Sequence, residues 1–297
     1  MDINYKTLKI FEQKDTRIVS LIEYEDKIAV LKQLTSKNRN LKTKFDHEIN
    51  TLISIKKKYV PKIYDYGENF FVMEHIEAYK NDPVSFSEIV NEKIINRVCE
   101  QLIDIKTSKI GNYKTKKKKI LLNVFKAFFK EWKNKSFKIY HLKASIVITI
   151  LYLKNRKQFK YGVNTKGDFT EINMLYTKTN QLMFIDFDNF TENGFWLEDA
   201  SYLLLHQDAK LKDLKWQKIF FKKYLKNINT KIKLSEGYIR FWLLHTSIIH
   251  HNIRFFQNKE KKTKLSQNQL NIKEERIKFF LKKKNFKSFL KDMKNND

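Results

Sequence analysis

Glycine, proline and cysteine are nearly missing from this chain of 297 residues, which holds six, two and one of them. With so few glycines and prolines no flexible linker is evident, and no internal repeat is visible. The single cysteine, Cys99, excludes an internal disulfide framework. It falls in a helical pattern with Ile94, Ile95, Val98 and Leu102, where it reads as a small core residue. Long apolar runs are missing too. The strongest, residues 144–153, is interrupted by Ser145 and Thr149 and is too short to span a bilayer. The opening MDINYKTLKIFEQK lacks the long apolar region of a signal peptide. Histidine is sparse: His245, His250 and His251 stand at i, i+5 and i+6, which makes no tight chelating face, so zinc chemistry is unsupported. No nucleophile elbow of a hydrolase occurs.

Acidic residues are also in deficit. Asp and Glu number 33 against 60 Lys and Arg, a net charge of +27. Fifty-three of the basic residues are Lys and seven are Arg, and Asn, Ile and Phe are abundant, as AT-rich coding alone would produce. The field is real all the same and favours anionic ligands or surfaces. Specific nucleic-acid binding is not expected, because the basic residues are spread along the chain without a recognised motif or an arginine cluster. A composition 42% hydrophobic and 14% aromatic excludes disorder as the class. A cytoplasmic protein is expected, with peripheral contact to an anionic membrane surface left open and the oligomeric state unread.

Along the chain, residues 17–24, a Glu25-Asp26 turn and residues 27–34 read as a hairpin. In its second strand Ile28, Val30, Lys32 and Leu34 share a face, so Lys32 stands in an apolar row. Residues 41–55 carry a helical stripe of Phe45, Ile49 and Leu52, with Glu48 on the same side. Either both charges are solvated, or strand lysine and helix glutamate satisfy each other. Beyond Pro61, VPKIYDYGENFFVMEHIE gives two strands about a Gly67-Glu68-Asn69 turn. The pattern is helical from about Val84 to Phe159, with the basic run 114–119 as a loop. Strand character returns only at 173–176 and 181–186, joined by residues 177–180. After Trp196 the chain reads as helix to its basic, amphipathic end. The expected architecture is α+β: a small antiparallel lobe with one main helix over residues 1–76, and a larger helical lobe over 77–297. A cleft between them is the natural ligand site.

One stretch, KGDFTEINMLYTKTNQLMFIDFDNF (166–190), gathers Asp168, Asn173, Asp186 and Asp188 among apolar residues. Carboxylates so placed are costly unless they meet a cation or a proton donor. Asp168 and Asn173 are separated by four residues, the interval of the kinase catalytic loop, and Asp186 ends the strand that follows. With Lys32 and Glu48 upstream, the order is lysine strand, glutamate helix, hinge, catalytic loop, metal aspartate. Here the sequence resembles the kinase-like phosphotransferases, in particular the aminoglycoside phosphotransferase and choline kinase branch. GDFTEINMLY is similar to that branch's His-Gly-Asp-Phe/Leu-x-x-x-Asn-Ile/Val-Leu motif. FIDFDNF is similar to its Ile-Asp-Phe/Trp-Asp/Glu motif, and WLEDASYLL to the Tyr-Asp-Leu-Ala helix that follows. The resemblance covers residues 17–205 in outline and is specific at 166–188.

The resemblance implies a two-lobed protein-kinase-like fold that uses ATP and Mg²⁺. It makes Asp168 the catalytic base or hydroxyl-orienting group, and gives the metal to Asn173 and Asp186. Lys32 would contact the α- and β-phosphates, oriented by Glu48. Residues 73–76, with Met73, Glu74 and Ile76, would form the hinge whose backbone meets adenine. Asp199 would brace the catalytic loop, and Asp188 would assist the metal, meet substrate or lie in solvent. Three departures stand out. Lys166 occupies the usual His position, Ala29-Val30 reverses the common order before the lysine, and EQKDTR contains no glycine where a nucleotide loop belongs. The expected activity is transfer of the γ-phosphoryl of ATP to a hydroxyl of a small molecule or sugar. The alternatives are a kinase of lipopolysaccharide core or another envelope saccharide, and a non-catalytic kinase-like binding protein. The lysine-rich C-terminal half tilts the expected acceptor toward a neutral or anionic saccharide.

Overall fold

The computed structural model describes residues 4–78, 86–108, 120–133, 138–160, 162–259 and 264–294; the basic run at 114–119 lies outside them. In chain order the elements are β1 (Lys6–Lys14), β2 (Arg17–Tyr24), β3 (Lys27–Leu34), α1 (Arg39–Ser54), β4 (Ile63–Tyr66), β5 (Phe70–Glu74), α2 (Phe86–Ile89), α3 (Glu92–Thr107), α4 (Ile120–Lys133) and α5 (Ile139–Lys154). There follow β6 (Val163–Thr165), β7 (Met174–Tyr176), β8 (Leu182–Phe184), β9 (Thr191–Gly194), α6 (Glu198–Leu205), α7 (Lys215–Asn229), α8 (Glu236–Lys259), α9 (Lys264–Leu281) and α10 (Lys283–Lys294). They fall into two compact units. One is formed by the described parts of residues 1–90, 108–113 and 166–191, the other by those of 91–107, 114–165 and 192–297.

The first unit is built on an antiparallel five-stranded sheet of order β1-β2-β3-β5-β4. The β2–β3 hairpin turns through Glu25 and Asp26, both at positive φ (48° and 60°). Two left-handed residues in a two-residue turn match the strand twist. Ile22, Ala29, Leu31 and Val72 form a buried cluster. Helix α1 begins at Asn38, whose side chain accepts from the Asn40 N–H at 2.9 Å and so satisfies one free amide of the first turn. It buries Phe45, Ile49 and Leu52, and the Phe45 ring meets Phe71 of β5 with centroids 5.3 Å apart. The hairpin of β7 and β8 belongs to the same unit and is tied to it by a Phe184 N–H bond to the Tyr59 carbonyl (2.8 Å).

The second unit is mainly helical. Its core gathers Val98, Cys99 and Leu102 of α3, Phe220 and Tyr224 of α7, and Tyr238, Phe241 and Trp242 of α8. Cys99 is fully buried, and burial pushes its thiol up to about 12. The amphipathic tail is helix α10, which buries Phe286, Phe289 and Leu290. The C-terminal end of α6 is closed by two cations from α9. Lys273 donates to the carbonyls of Leu205, His206 and Gln207, and Arg276 to those of Leu205, Gln207 and Ala209. Cations there meet the negative end of the helix and its unsatisfied carbonyls.

One expectation is corrected. Strand character does not return only at residue 173, because β6 precedes that hairpin and β9 follows it. VNT and TENG are too short and too polar to show an alternating pattern.

Candidate functional site

The site is assembled within the first unit, from β3, α1 and the 166–190 stretch. Lys32 is buried at the centre of the sheet, paired with Val19 on β2 and Phe71 on β5. Glu48 is buried on the face of α1 that carries Phe45 and Leu52. The two meet: Lys32 Nζ lies 2.5 Å from Glu48 Oε2. Nζ is also 3.6 Å from Asp186 Oδ1. Burial pushes the Glu48 carboxyl above its ordinary range, the Lys32 charge pulls it back, and the neighbouring Asp186 adds to the rise.

The 166–190 stretch is folded by short-range bonds. The Asn173 side-chain nitrogen donates to the Asp168 carbonyl at 2.9 Å and approaches Asp168 Oδ2 at 3.5 Å. The Ile185 N–H donates to the Asn173 carbonyl at 3.0 Å, which sets Asn173 beside the strand end that carries Asp186. His47 of α1 contacts the Phe190 carbonyl at 2.7 Å, joining the helix to the end of the stretch. Gly167 has φ +77°, and a Cβ there would lie 2.4 Å from the Asn189 carbonyl oxygen, so only glycine fits. Asp186 itself has φ 61°, an uncommon conformation for any residue with a side chain, though Asp and Asn tolerate it best. Lys166, fully buried, donates from Nζ to the Asp186 carbonyl at 2.9 Å and lies 5.2 Å from the Phe187 ring centre.

A cavity of about 220 Å³ opens against this group, lined by Lys14, Thr16, Arg17, Lys32, Lys44, Glu48 and Asp188 among others. Four cations and two acids make it suited to a polyanion. Lys14, Thr16, Arg17 and Lys44 were not singled out from the sequence. EQKDTR invited attention for its lack of glycine and hid its cations. The turn at Asp15-Thr16 is held instead by Thr35, whose hydroxyl donates to the Asp15 carbonyl (2.8 Å) and whose N–H donates to that of Thr16 (3.1 Å). Burial and then the Asp186 charge hold the Asp188 carboxyl above its ordinary range.

The residues expected to form the hinge stand apart from that cavity. Met73 pairs with Val30 and Ile63 in the sheet, and the Glu74 N–H is bonded to the Lys62 carbonyl at 2.8 Å. Glu74, His75 and Ile76 line a second opening of about 360 Å³ with Lys62, Thr177 and Met183. Asp199 lies in the second unit, where it pairs with Lys106 at 2.9 Å, both fully buried. Lys106 also donates to the carbonyls of Phe195 (3.1 Å) and Asn164 (3.4 Å), so the pair joins α3 to the chain on either side of the 166–191 segment.

Two oxygen donors of this stretch bear on a magnesium ion. Asp186 Oδ1 is buried and makes no hydrogen bond. The Asn173 nitrogen is committed to Asp168, leaving its amide oxygen as the donor atom it offers a metal. Among the described residues no group of three His, Cys, Asp or Glu makes a metal cage. One carboxylate and one amide oxygen suit magnesium, which keeps waters and shares phosphate oxygens instead of sitting in an all-protein site.

No family model matches the chain, and no curated protein matches it. Solved structures do. An ADP-bound aminoglycoside phosphotransferase, APH(2'')-Ib, superposes with a TM-score of 0.61 at 17% identity, over 91% of this chain and 93% of its own. A choline kinase from Cryptosporidium parvum Iowa II gives 0.63 at 14% identity, over 98% and 92%. A Plasmodium vivax ethanolamine kinase gives 0.61 at 14%, over 97% and 84%. The likeness is one of fold: the chain has the two-lobed protein-kinase-like fold that these small-molecule kinases share, as its motifs implied.

Proposed function

We propose that this protein is an ATP-dependent phosphotransferase that moves the γ-phosphoryl group of ATP to a hydroxyl of a small molecule or saccharide. The observation that carries the reading is the buried Lys32–Glu48 pair with Asp186 Oδ1 3.6 Å from the lysine. A lysine so held is oriented and dehydrated, ready for phosphate oxygens, beside a carboxylate that lacks a hydrogen bond. The cations of the cavity would surround the rest of the phosphate charge. Asp168 would take or orient the acceptor's hydroxyl proton. Magnesium, held by Asn173 and Asp186, would neutralise phosphate charge when bound with the nucleotide. The hinge Met73, Glu74 and Ile76 would meet the base. The protein's share of catalysis is then positioning and charge stabilisation. The neighbours of this fold act on aminoglycosides, choline and ethanolamine by their names. For this chain we favour a neutral or anionic saccharide hydroxyl, an envelope saccharide included, because residues 210–233 and 259–294 are rich in lysine. The place of action would be the cytoplasm, where ATP is supplied.

Calorimetric titration with magnesium-ATP, followed by an ATP-consumption screen over sugars, aminoglycosides, choline and envelope saccharides, tests both parts. Binding that Lys32→Ala weakens supports the reading. A wild-type protein that binds no nucleotide under any metal condition overturns it in favour of a kinase-like binding protein. Faster turnover of an aminoglycoside than of any neutral sugar overturns the acceptor assignment alone.

A further inference from the structure

Helices α4 and α5 of the second unit each expose an apolar stripe. On α4, Leu122, Phe125, Phe129 and Trp132 recur at i, i+3, i+7 and i+10; on α5, Ile139, Leu142, Ile146, Ile150 and Leu153 recur at i, i+3, i+7, i+11 and i+14. These spacings place each set on one side of its helix. All nine side chains are exposed, Phe129, Trp132, Ile139 and Leu153 by 60% or more. The stripes adjoin: Phe125 of α4 and Leu142, Ile146 and Ile150 of α5 line one apolar groove of about 250 Å³. A continuous apolar patch of this extent on a folded surface marks a docking site.

Its charge says what docks. Four times a stripe residue is followed by an exposed lysine: Phe125-Lys126, Trp132-Lys133, Leu142-Lys143 and Leu153-Lys154. Each lysine therefore flanks its stripe. Residues 114–160 hold fifteen basic residues and one acid, Glu131, and α5 holds no acid at all. A second copy would bring the same lysine rows face to face, which like charge opposes. A lipid surface accepts both halves of the pattern, the rings and branched chains entering the acyl boundary and the ammonium groups reaching anionic headgroups. We propose that the α4–α5 face docks on an anionic lipid surface and holds the protein at a membrane without crossing it. Consistent with that, no described helix is long and apolar enough to span. The proposal is independent of the phosphotransferase reading.

The test uses the full chain and vesicles of phosphatidylcholine, alone or with about 30% phosphatidylglycerol, at roughly 0.15 M salt. The wild type is expected to co-sediment with the anionic vesicles only. Phe129→Ser combined with Ile146→Ser keeps the net charge and is expected to weaken that binding by about tenfold or more. Both positions are exposed, so its melting curve is expected to match the wild type. Trp132 is the exposed tryptophan among the four, and its emission is expected to shift to the blue and be quenched by brominated acyl chains, a readout that needs no destabilising variant. Three results overturn the proposal: no binding to anionic vesicles; equal binding by the serine variant, with Trp132 unquenched, which would leave general charge as the cause; or a lipid-free dimer that the variant dissociates, which would give the face to a second copy.

Discussion

Replacing Lys32 by Met leaves the side-chain stem in place and removes the charge. Glu48 then stays buried, 3% exposed, near Asp186 and Asp188 and with no cation left in ion-pair contact. Removing one partner of a buried ion pair costs about 3–5 kcal/mol, because the other charge is left uncompensated. Glu48→Gln should cost less, since Lys32 keeps Asp186 at 3.6 Å as a second carboxylate. The double variant should recover part of the Lys32→Met loss, with a coupling energy of about 0.5–3 kcal/mol. It should still fail to bind nucleotide, which separates the pair's structural role from its functional one.

The sign with pH follows from Glu48. Its carboxyl already titrates above the ordinary value of 4.5 because it is buried, and losing Lys32 raises it further. The folded state then holds the proton more tightly than the unfolded chain does. Stability is therefore lost as pH rises from about 4.5 through the raised folded value. The Lys32→Met deficit should be small near pH 4.5 and full once Glu48 is ionised in both states. All four tryptophans lie in the second unit, so fluorescence would report the wrong region. Urea unfolding is best followed by hydrogen exchange of β2, β3 and α1. Additive single-variant effects, within about 0.5 kcal/mol, or a deficit that does not change with pH would refute the reasoning.

Three further outcomes are expected. Asp168→Asn should lower single-turnover transfer by about 10²–10⁴-fold while largely sparing magnesium-ATP binding, whereas Asp186→Asn, and Asn173→Ala after it, should weaken the metal-dependent binding as well; calorimetry and rapid-quench assays on the three variants separate the roles. Gly167→Ala should destabilise the 166–190 stretch, because the residue would need φ +77° with its Cβ against Asn189; faster hydrogen exchange there, against an unchanged sheet, is the readout. Lys106→Met should cost the second unit about 3–5 kcal/mol by removing the buried cation beside Asp199, and tryptophan fluorescence, which reports that unit, should show it as an earlier unfolding midpoint.

The legible parts of this chain were those where chemistry and period disagreed. Lys32 in an apolar row and Glu48 on an apolar helix face were visible as misfits, and the structure brings them within 2.5 Å. The period placed each charge on a core face; the partner depended on how α1 packs across the sheet, which local pattern does not contain. The Glu25-Asp26 turn and the hairpin of β7 and β8 were legible for the same local reason. Lys14, Arg17 and Lys44 were not, since a lysine or arginine at a strand end or on an exposed helix turn reads as a solvated residue anywhere in so basic a chain. Only the fold of the β1–β2 turn over α1 shows that they line one cavity. β6 and β9 left no signal, because three or four polar residues carry no period.

Lys166 is where the departure from the family motif and the geometry explain each other. Asp186 is held at φ 61°, and a residue in that region persists only if its surroundings fix it. The Asp186 carbonyl is bonded to Lys166, which anchors the peptide group that follows the strained Cα, and the Ile185 N–H, one peptide further back, is bonded to Asn173. A histidine can donate one such bond across a short reach. Lysine makes the same bond from a flexible stem, packed against Phe187, and is completely enclosed. The exchange therefore keeps the Asp186 carbonyl anchored, as the metal role proposed for that residue would require. It also places a basic residue in a segment that holds Asp168, Asp186 and Asp188, where burial and then Asp186 push the Asp188 carboxyl upward. On this geometry the lysine holds the backbone of Asp186 in place, the task that the phosphotransferase reading proposed above requires at that position.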